Sequence, residues 1–129
     1  MAGAWPPMPD WLRVELARSS VRRGERVRVR WEADGTPDGY ELRLVLVVHH
    51  GGSDSMSPPG KAVPERQVHV VHDRAALAPG RDALSLRVPP DAPYSYAGRV
   101  LAFFWGVALA RADADREELD GWTALRVLP

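Results

Sequence analysis

Residues 26–32 read Arg-Val-Arg-Val-Arg-Trp-Glu, a strict alternation of charged and apolar side chains. Successive side chains of a β-strand point to opposite faces, so a period of two is typical of a strand with one buried and one solvated face. The stretch therefore predicts a half-buried strand. Its core face holds Val27, Val29 and Trp31, and its solvent face holds Arg26, Arg28 and Arg30.

The same alternation recurs along the whole chain, and no long stretch keeps the 3.6-residue period of a helix. Further strands are predicted at 12–16, 40–49, 68–72, 83–88, 99–111 and 123–128. A helical turn is expected within 112–121. A long surface loop is expected at 50–66, because its Pro-Pro-Gly cannot join a ladder. The pattern predicts an all-β, two-layer antiparallel, immunoglobulin-like sandwich of seven strands over 12–128, after a proline-rich tail at 1–11.

Length and composition exclude several classes of protein. The 129 residues fit one domain, and 17 basic against 17 acidic residues give no net charge, so nucleic acid is not an expected partner. Cysteine is absent, which excludes disulfides and thiolate catalysis.

The apolar run 100–110 is shorter than the roughly 20 residues of a spanning helix, so membrane insertion is not expected either. The N-terminal residues do not resemble a secretory signal, which predicts a cytoplasmic location, and the strong preference for arginine over lysine is typical of a GC-rich bacterial genome.

Residues 88–98 read Val-Pro-Pro-Asp-Ala-Pro-Tyr-Ser-Tyr-Ala-Gly and run directly into the predicted strand 99–111. This segment resembles the arrestin-like superfamily, in which a Pro-x-Ser-aromatic-x-Gly turn leads into a long strand with a central aromatic, here Trp105. Upstream, Arg23-Gly24-Glu25 is similar to the family's Pro-Gly-Glu turn, with Arg23 in place of the proline. The resemblance covers residues 12–128, a single arrestin-type lobe, and includes bacterial sporulation-control-type members. It implies a scaffold or adaptor that holds other proteins.

The histidines raise the possibility of a metal site, because His69 and His72 form a His-x-x-His pair. Residues three apart on a strand point to opposite faces, as do adjacent ones, so the four histidines cannot share one side. We therefore expect no bound metal and no cofactor, and a histidine-containing metal-dependent protein is kept as a second alternative. The four are His49, His50, His69 and His72.

No nucleophile elbow, phosphate loop or catalytic carboxylate pair stands in a recognisable sequence frame. The serines and aspartates, such as Ser53, Asp54 and Ser55, are interpreted as solvated loop residues. The sequence thus predicts a protein that is not an enzyme.

Two charged regions of opposite sign are candidates for charged docking. Arg26, Arg28 and Arg30 form a basic stripe on one strand face, whereas Glu117 and Glu118 belong to an acidic stretch. The stripe has no aromatic side chain on its own face, so nucleic acid bases would have nothing to stack on. Such regions are either solvated faces paired across strands or surfaces that dock on a second copy or a charged partner.

Two predicted strands are apolar on both faces. If the leucines of 40–49 and Trp105 point inward, four other apolar side chains of the strands 40–49 and 99–111 point outward. These two strands are expected to be neighbours in such a sandwich, so the outward side chains would form one patch. An outward apolar patch is typical of a protein interface, unless the chain's own Trp5 or Trp11 and the adjoining prolines cover it. The residues are Val45, Val47, Val100 and Phe104.

These patterns favour a non-enzymatic protein-protein interaction module whose partner is another protein, including a second copy of the chain. A small-ligand or carbohydrate binder that uses the 50–66 loop and exposed tryptophans is the main alternative. Tryptophans around an open groove would favour the binder, and a flat apolar sheet face would favour the adaptor.

Overall fold

The computed structural model describes residues 5–52 and 63–129, and the side chains of 5–51 and 66–129. Nine strands occur in this part of the chain: β1 (Leu12–Leu16), β2 (Ser20–Arg22), β3 (Arg26–Ala33), β4 (Tyr40–Gly52), β5 (Val63–Ala76), β6 (Gly80–Arg87), β7 (Tyr96–Ala97), β8 (Leu101–Arg111) and β9 (Gly121–Leu128). They form a three-stranded sheet of order β1-β3-β6 and a larger sheet of order β2-β9-β8-β4-β5, with β7 paired to β8. The predicted all-β two-layer sandwich is confirmed.

The main core lies between the two sheets and follows the predicted alternation. On β3, Val27, Val29 and Trp31 are buried, while the arginines that alternate with them, Arg26, Arg28 and Arg30, are exposed. From the larger sheet, Trp105 contributes the largest fully buried side chain of the described residues. The core positions predicted for Trp31 and Trp105 are therefore confirmed.

The elements differ from the predictions in several places: β5 continues to Ala76, β6 begins at Gly80 and β8 begins at Leu101. β2 and β7 were not predicted, because three and two residues are too short to show a period, and β2 pairs with β9 in parallel. β4 and β5 extend into the predicted 50–66 loop from both sides, and residues 53–62 lie outside the described part. Residues 112–120 form turns and bends rather than the expected helical turn.

The proline corner at 88–98 closes one end of the core. Ala92 is buried in the core, and the carbonyl of Pro93 accepts a hydrogen bond of 2.9 Å from Nε1 of Trp105. Ser95 bonds back to the chain as predicted, because its Oγ accepts from the amide of Val127 at 2.8 Å and its own amide donates to the Val127 carbonyl. The corner therefore covers the end of the main core at Trp105.

The larger sheet continues beyond this corner. β4, β5 and β8 have 13, 14 and 11 residues, whereas β3 and β6 have 8 each. At about 3.3 Å per residue, the longer strands project past the smaller sheet. The described ranges contain no helix with the length and apolar character that crossing a membrane requires.

Candidate functional site

The predicted outward apolar patch is assembled but largely covered. β4 and β8 are neighbours, as expected, and Val47 lies opposite Phe104. However, Val45 and Val47 are completely buried, so the expectation that they are exposed is wrong. The side chains packed over this second small core are Trp5, Val71, Phe104, Leu119 and Trp122.

Trp5, from the segment before β1, is a large part of this cover. Its ring stacks on Trp122 with centroids 4.5 Å apart and meets Phe104 edge-on at 5.7 Å. The possibility that the chain's own tail covers the patch is therefore confirmed for Trp5. Trp11 packs elsewhere, against Tyr40 at the main core.

A buried ion pair holds the segment 112–120 over the same face. Arg43 is 2% exposed, and its Nε donates to Glu41 at 2.7 Å. Its Nη2 donates to three carbonyls in or next to that segment, those of Arg111, Ala112 and Ala114, the first at 2.9 Å. Sequence reasoning missed this role. The available signal was a glutamate and an arginine in the outward phase of a strand that is otherwise apolar.

The exposed apolar surface lies on the other face of the projecting sheet end. On the face that carries Trp105, residues that lie opposite one another on neighbouring strands form a row across four strands, Val68–Val48–Phe103–Tyr96. Tyr96 is 50% exposed, Leu101 40% and Val68 39%. Val100 is also exposed, as predicted, just before β8. This surface, called the apolar extension, consists of Val48, Val68, Tyr96, Leu101 and Phe103.

A groove of about 310 Å³ joins the apolar extension to the covered patch. The groove follows β8 between β7 and β9. β7 pairs with β8 only at residues 102 and 103, and β9 pairs with β8 only from Trp105 onward, so the two strands leave a gap between them. Its wall is mostly apolar. We call it the aromatic groove after six of its lining residues, Trp5, Tyr96, Phe103, Phe104, Trp105 and Trp122.

The two predicted charged regions lie on opposite outer faces of the sandwich. Arg26, Arg28 and Arg30 are exposed on the smaller sheet, where Arg30 lies opposite Glu15. Glu117 and Glu118 are exposed in the segment that Arg43 holds over the larger sheet. A charge-complementary contact between copies would therefore join unlike faces, head to tail. Charged docking remains a prediction.

The His-x-x-His pair is divided between the two faces of the larger sheet, as predicted. His69 lies opposite Val47, and the backbone carbonyl of Arg116 accepts a hydrogen bond from its ring. His72 lies against Trp105, with ring centroids 5.1 Å apart. Within the described ranges, no group of three or more histidine or acidic side chains is arranged to hold a metal ion.

Burial lowers the pKa of both His69 and His72 below the usual 6.5, although Glu117 opposes the effect at His69 and Asp91 at His72. Arg116 lowers the pKa of His69 further. In addition, Nδ1 of His69 and Nε2 of His72 are buried without a hydrogen-bond partner among the described residues. A proton on either ring would therefore be more costly in the folded than in the unfolded chain.

We predict that the domain loses stability as the pH falls through about 6.5. Because the pKa of each buried histidine is lower in the folded state, the unfolded chain binds more protons between the two values, so the stability is fully present above about 6.5 and decreases below it. Urea unfolding at pH 8, 6.5 and 5 measures this loss. The His69→Gln, His72→Gln double variant should show a smaller loss, and an equal pH dependence in both proteins would contradict the prediction.

No protein-family model matches the chain, and no curated protein matches it. Among solved structures, the sporulation control protein Spo0M from Bacillus subtilis aligns with 90% of the chain at 13% identity and a TM-score of 0.47, and the chain spans 48% of its length. A superoxide reductase (neelaredoxin) from Ignicoccus hospitalis aligns with 91% of the chain at 10% identity and a TM-score of 0.33, with 80% of that protein covered. A β-glucosidase from Listeria innocua aligns with 90% of the chain at 15% identity and a TM-score of 0.35, with 16% of that protein covered. At these identities the similarity concerns the fold alone.

Proposed function

We propose that the chain is a non-enzymatic protein-protein interaction module whose partner binds at the aromatic groove and the adjoining apolar extension. The observation that carries the proposal is the row Val68–Val48–Phe103–Tyr96, which crosses four strands; Val48 and Phe103 are partly buried, and Val68 and Tyr96 at its ends are exposed. Contiguous apolar surface on a folded domain is typical of sites that bind other proteins.

The energetics favour a partner of extended apolar surface. Removing apolar area from water yields about 25 cal/mol per Å², before the cost of ordering both partners. Aromatic side chains bury the most area per residue and supply a large share of the binding energy in protein interfaces. Tyr96 and Phe103 are therefore the residues expected to contribute most.

The three tryptophans around the groove, Trp5, Trp105 and Trp122, favour the small-ligand or carbohydrate alternative, but two other observations count against it. A volume of about 310 Å³ is at the lower end of the roughly 300 to 1,000 Å³ typical of ligand pockets. Trp5 and Trp122 stack on each other, so each already uses one ring face that a sugar could otherwise contact. The metal-dependent alternative requires convergent ligands, whereas His69 and His72 lie on opposite faces of the sheet.

Two tyrosines of the proline corner provide a matched test of the proposed surface. Tyr96 and Tyr94 are 50% and 43% exposed, but only Tyr96 lines the groove. We expect Tyr96→Ser to reduce capture of the native protein partner by about tenfold or more, the effect of losing about 1.4 kcal/mol at a central aromatic contact. Tyr94→Ser should bind as the wild type does.

The measurement is quantitative affinity capture from a lysate of the native host, with circular dichroism to show that both variants fold. Equal capture by the two folded variants would remove the groove from the proposal. Failure of the wild-type protein to capture any protein above the level of an unrelated β-sandwich would count against an interaction module altogether.

A further inference from the structure

The segment before β1 is partly buried at Trp5, Met8 and Pro9. Trp5 and Met8 are partly buried, whereas Pro6 and Pro7 between them are exposed. Residues 5–8 belong to no helix or strand. Trp5 packs on the second small core, and Met8 packs against the main core.

The Pro6-Pro7 sequence favours a polyproline II helix here. The helix has three residues per turn, so side chains three apart lie on the same side, and consecutive prolines favour it strongly. Trp5 and Met8 then face the body of the protein, and the two prolines face solvent. The segment Trp-Pro-Pro-Met therefore contacts the body through its first and last residues.

The body is shaped to receive both anchors. A Cβ on Gly106 would lie 2.3 Å from the ring of Trp122, so only glycine lets that ring lie flat on β8 and present its face to Trp5. A Cβ on Gly121 would lie 2.7 Å from the sulfur of Met8. Gly106 thus leaves room for the Trp122 ring that supports Trp5, and Gly121 leaves room for Met8.

We propose that the aromatic groove recognises a partner segment in which tryptophan is followed by two prolines and an apolar residue, in polyproline II conformation. The chain's own Trp5 occupies one side of this groove in the free protein, and residues 5–8 show the chemistry that fits it. This inference rests on the proposed function and names the kind of partner. Aromatic grooves recognise such segments at low entropic cost, because the extended helix is already formed in the free ligand.

The occupant expected from the geometry is a partner's segment rather than the tail of a second copy. The amide of Leu12 donates to the carbonyl of Pro9 at 3.0 Å, and this turn directs the tail back onto its own sandwich. Met8 is also held at Gly121 of the same chain. Exchange of tails between two copies would have to open that turn, whereas a partner segment needs only to displace Trp5.

The test uses the full chain with Trp5→Ala and a synthetic peptide of residues 1–10, with binding measured by isothermal titration calorimetry. We expect the variant to bind the peptide at least tenfold more tightly than the wild-type protein, whose own tail competes at an effective concentration of about millimolar. A peptide with Trp5→Ala should not bind. A peptide with both Pro6→Ala and Pro7→Ala should bind more weakly, because it loses the preformed extended helix.

A second substitution tests the body side of the contact. Adding Phe104→Ser to the Trp5→Ala chain should abolish peptide binding and leave the circular dichroism spectrum unchanged, because Phe104 lies outside the main core. If Trp5→Ala fails to fold, the Pro6→Ala, Pro7→Ala chain replaces it. Its altered prolines are exposed, and its weakened tail should also allow tighter peptide binding than the wild type.

Three outcomes would overturn the inference: no peptide binding by the folded Trp5→Ala chain, equal binding with and without Phe104→Ser, or a wild-type dimer in light scattering that Trp5→Ala abolishes. The last would identify the tail of a second copy as the occupant. If the peptide fails while Tyr96→Ser still loses the native partner, the interaction module stands and only the Trp-Pro-Pro chemistry is wrong.

Discussion

Replacing Trp105 with alanine is expected to lower the free energy of unfolding by about 3 to 5 kcal/mol, the range for truncating a large buried aromatic. Trp105 is 2% exposed at the end of the main core. Its indole donates the hydrogen bond that fixes the corner at Pro93, and its ring packs on His72. The substitution therefore leaves a cavity, an unpaired carbonyl and an unsupported corner at the same place.

Urea unfolding followed by circular dichroism measures this loss. Trp105→Phe is the matched control, since it keeps most of the apolar volume and loses the hydrogen bond, and it should cost clearly less than alanine. A loss below about 0.5 kcal/mol for Trp105→Ala is typical of an exposed position. That result would contradict the burial of this residue and the assignment of the inner face of β8.

Replacing Arg43 with methionine is expected to cost about 3 to 5 kcal/mol, because it leaves the carboxylate of Glu41 buried without its main partner. Both side chains are less than 10% exposed, and their ion pair measures 2.7 Å. The three carbonyls that Arg43 binds near 112–120 also lose their donor. We therefore expect faster amide hydrogen exchange in that segment as well as a lower free energy of unfolding.

Arg74 provides the matched control, since it pairs with the same carboxylate at 3.4 Å while its side chain is 58% exposed. Arg74→Met should cost less than about 1 kcal/mol, as is usual for exposed pairs. The Glu41→Gln, Arg43→Met chain should be more stable than Arg43→Met alone, because no charge is left buried. Equal losses for Arg43→Met and Arg74→Met would show that burial of the pair is not what stabilises the segment.

The sequence by itself determined the fold class and the phase of β3, β4 and β8. The alternation at 26–32 predicts which residues of β3 are buried, and the structure buries Val27, Val29 and Trp31. The same alternation predicted that His69 and His72 lie on opposite faces. These properties are local, because a strand alternates its side chains whatever surrounds it.

The tertiary structure alone decided which outward face is covered and which inward face is open. The phase placed Val45 and Val47 correctly on the outer face, but Trp5 and the segment held by Arg43 bury them. Conversely, Tyr96 and Leu101 share the inner face with Trp105 and are exposed, because the smaller sheet ends before reaching them. Periodicity reports the direction of a side chain, whereas burial depends on what distant segments pack against it. Those distant contacts turn one predicted patch into a second core and leave the aromatic groove open beside it.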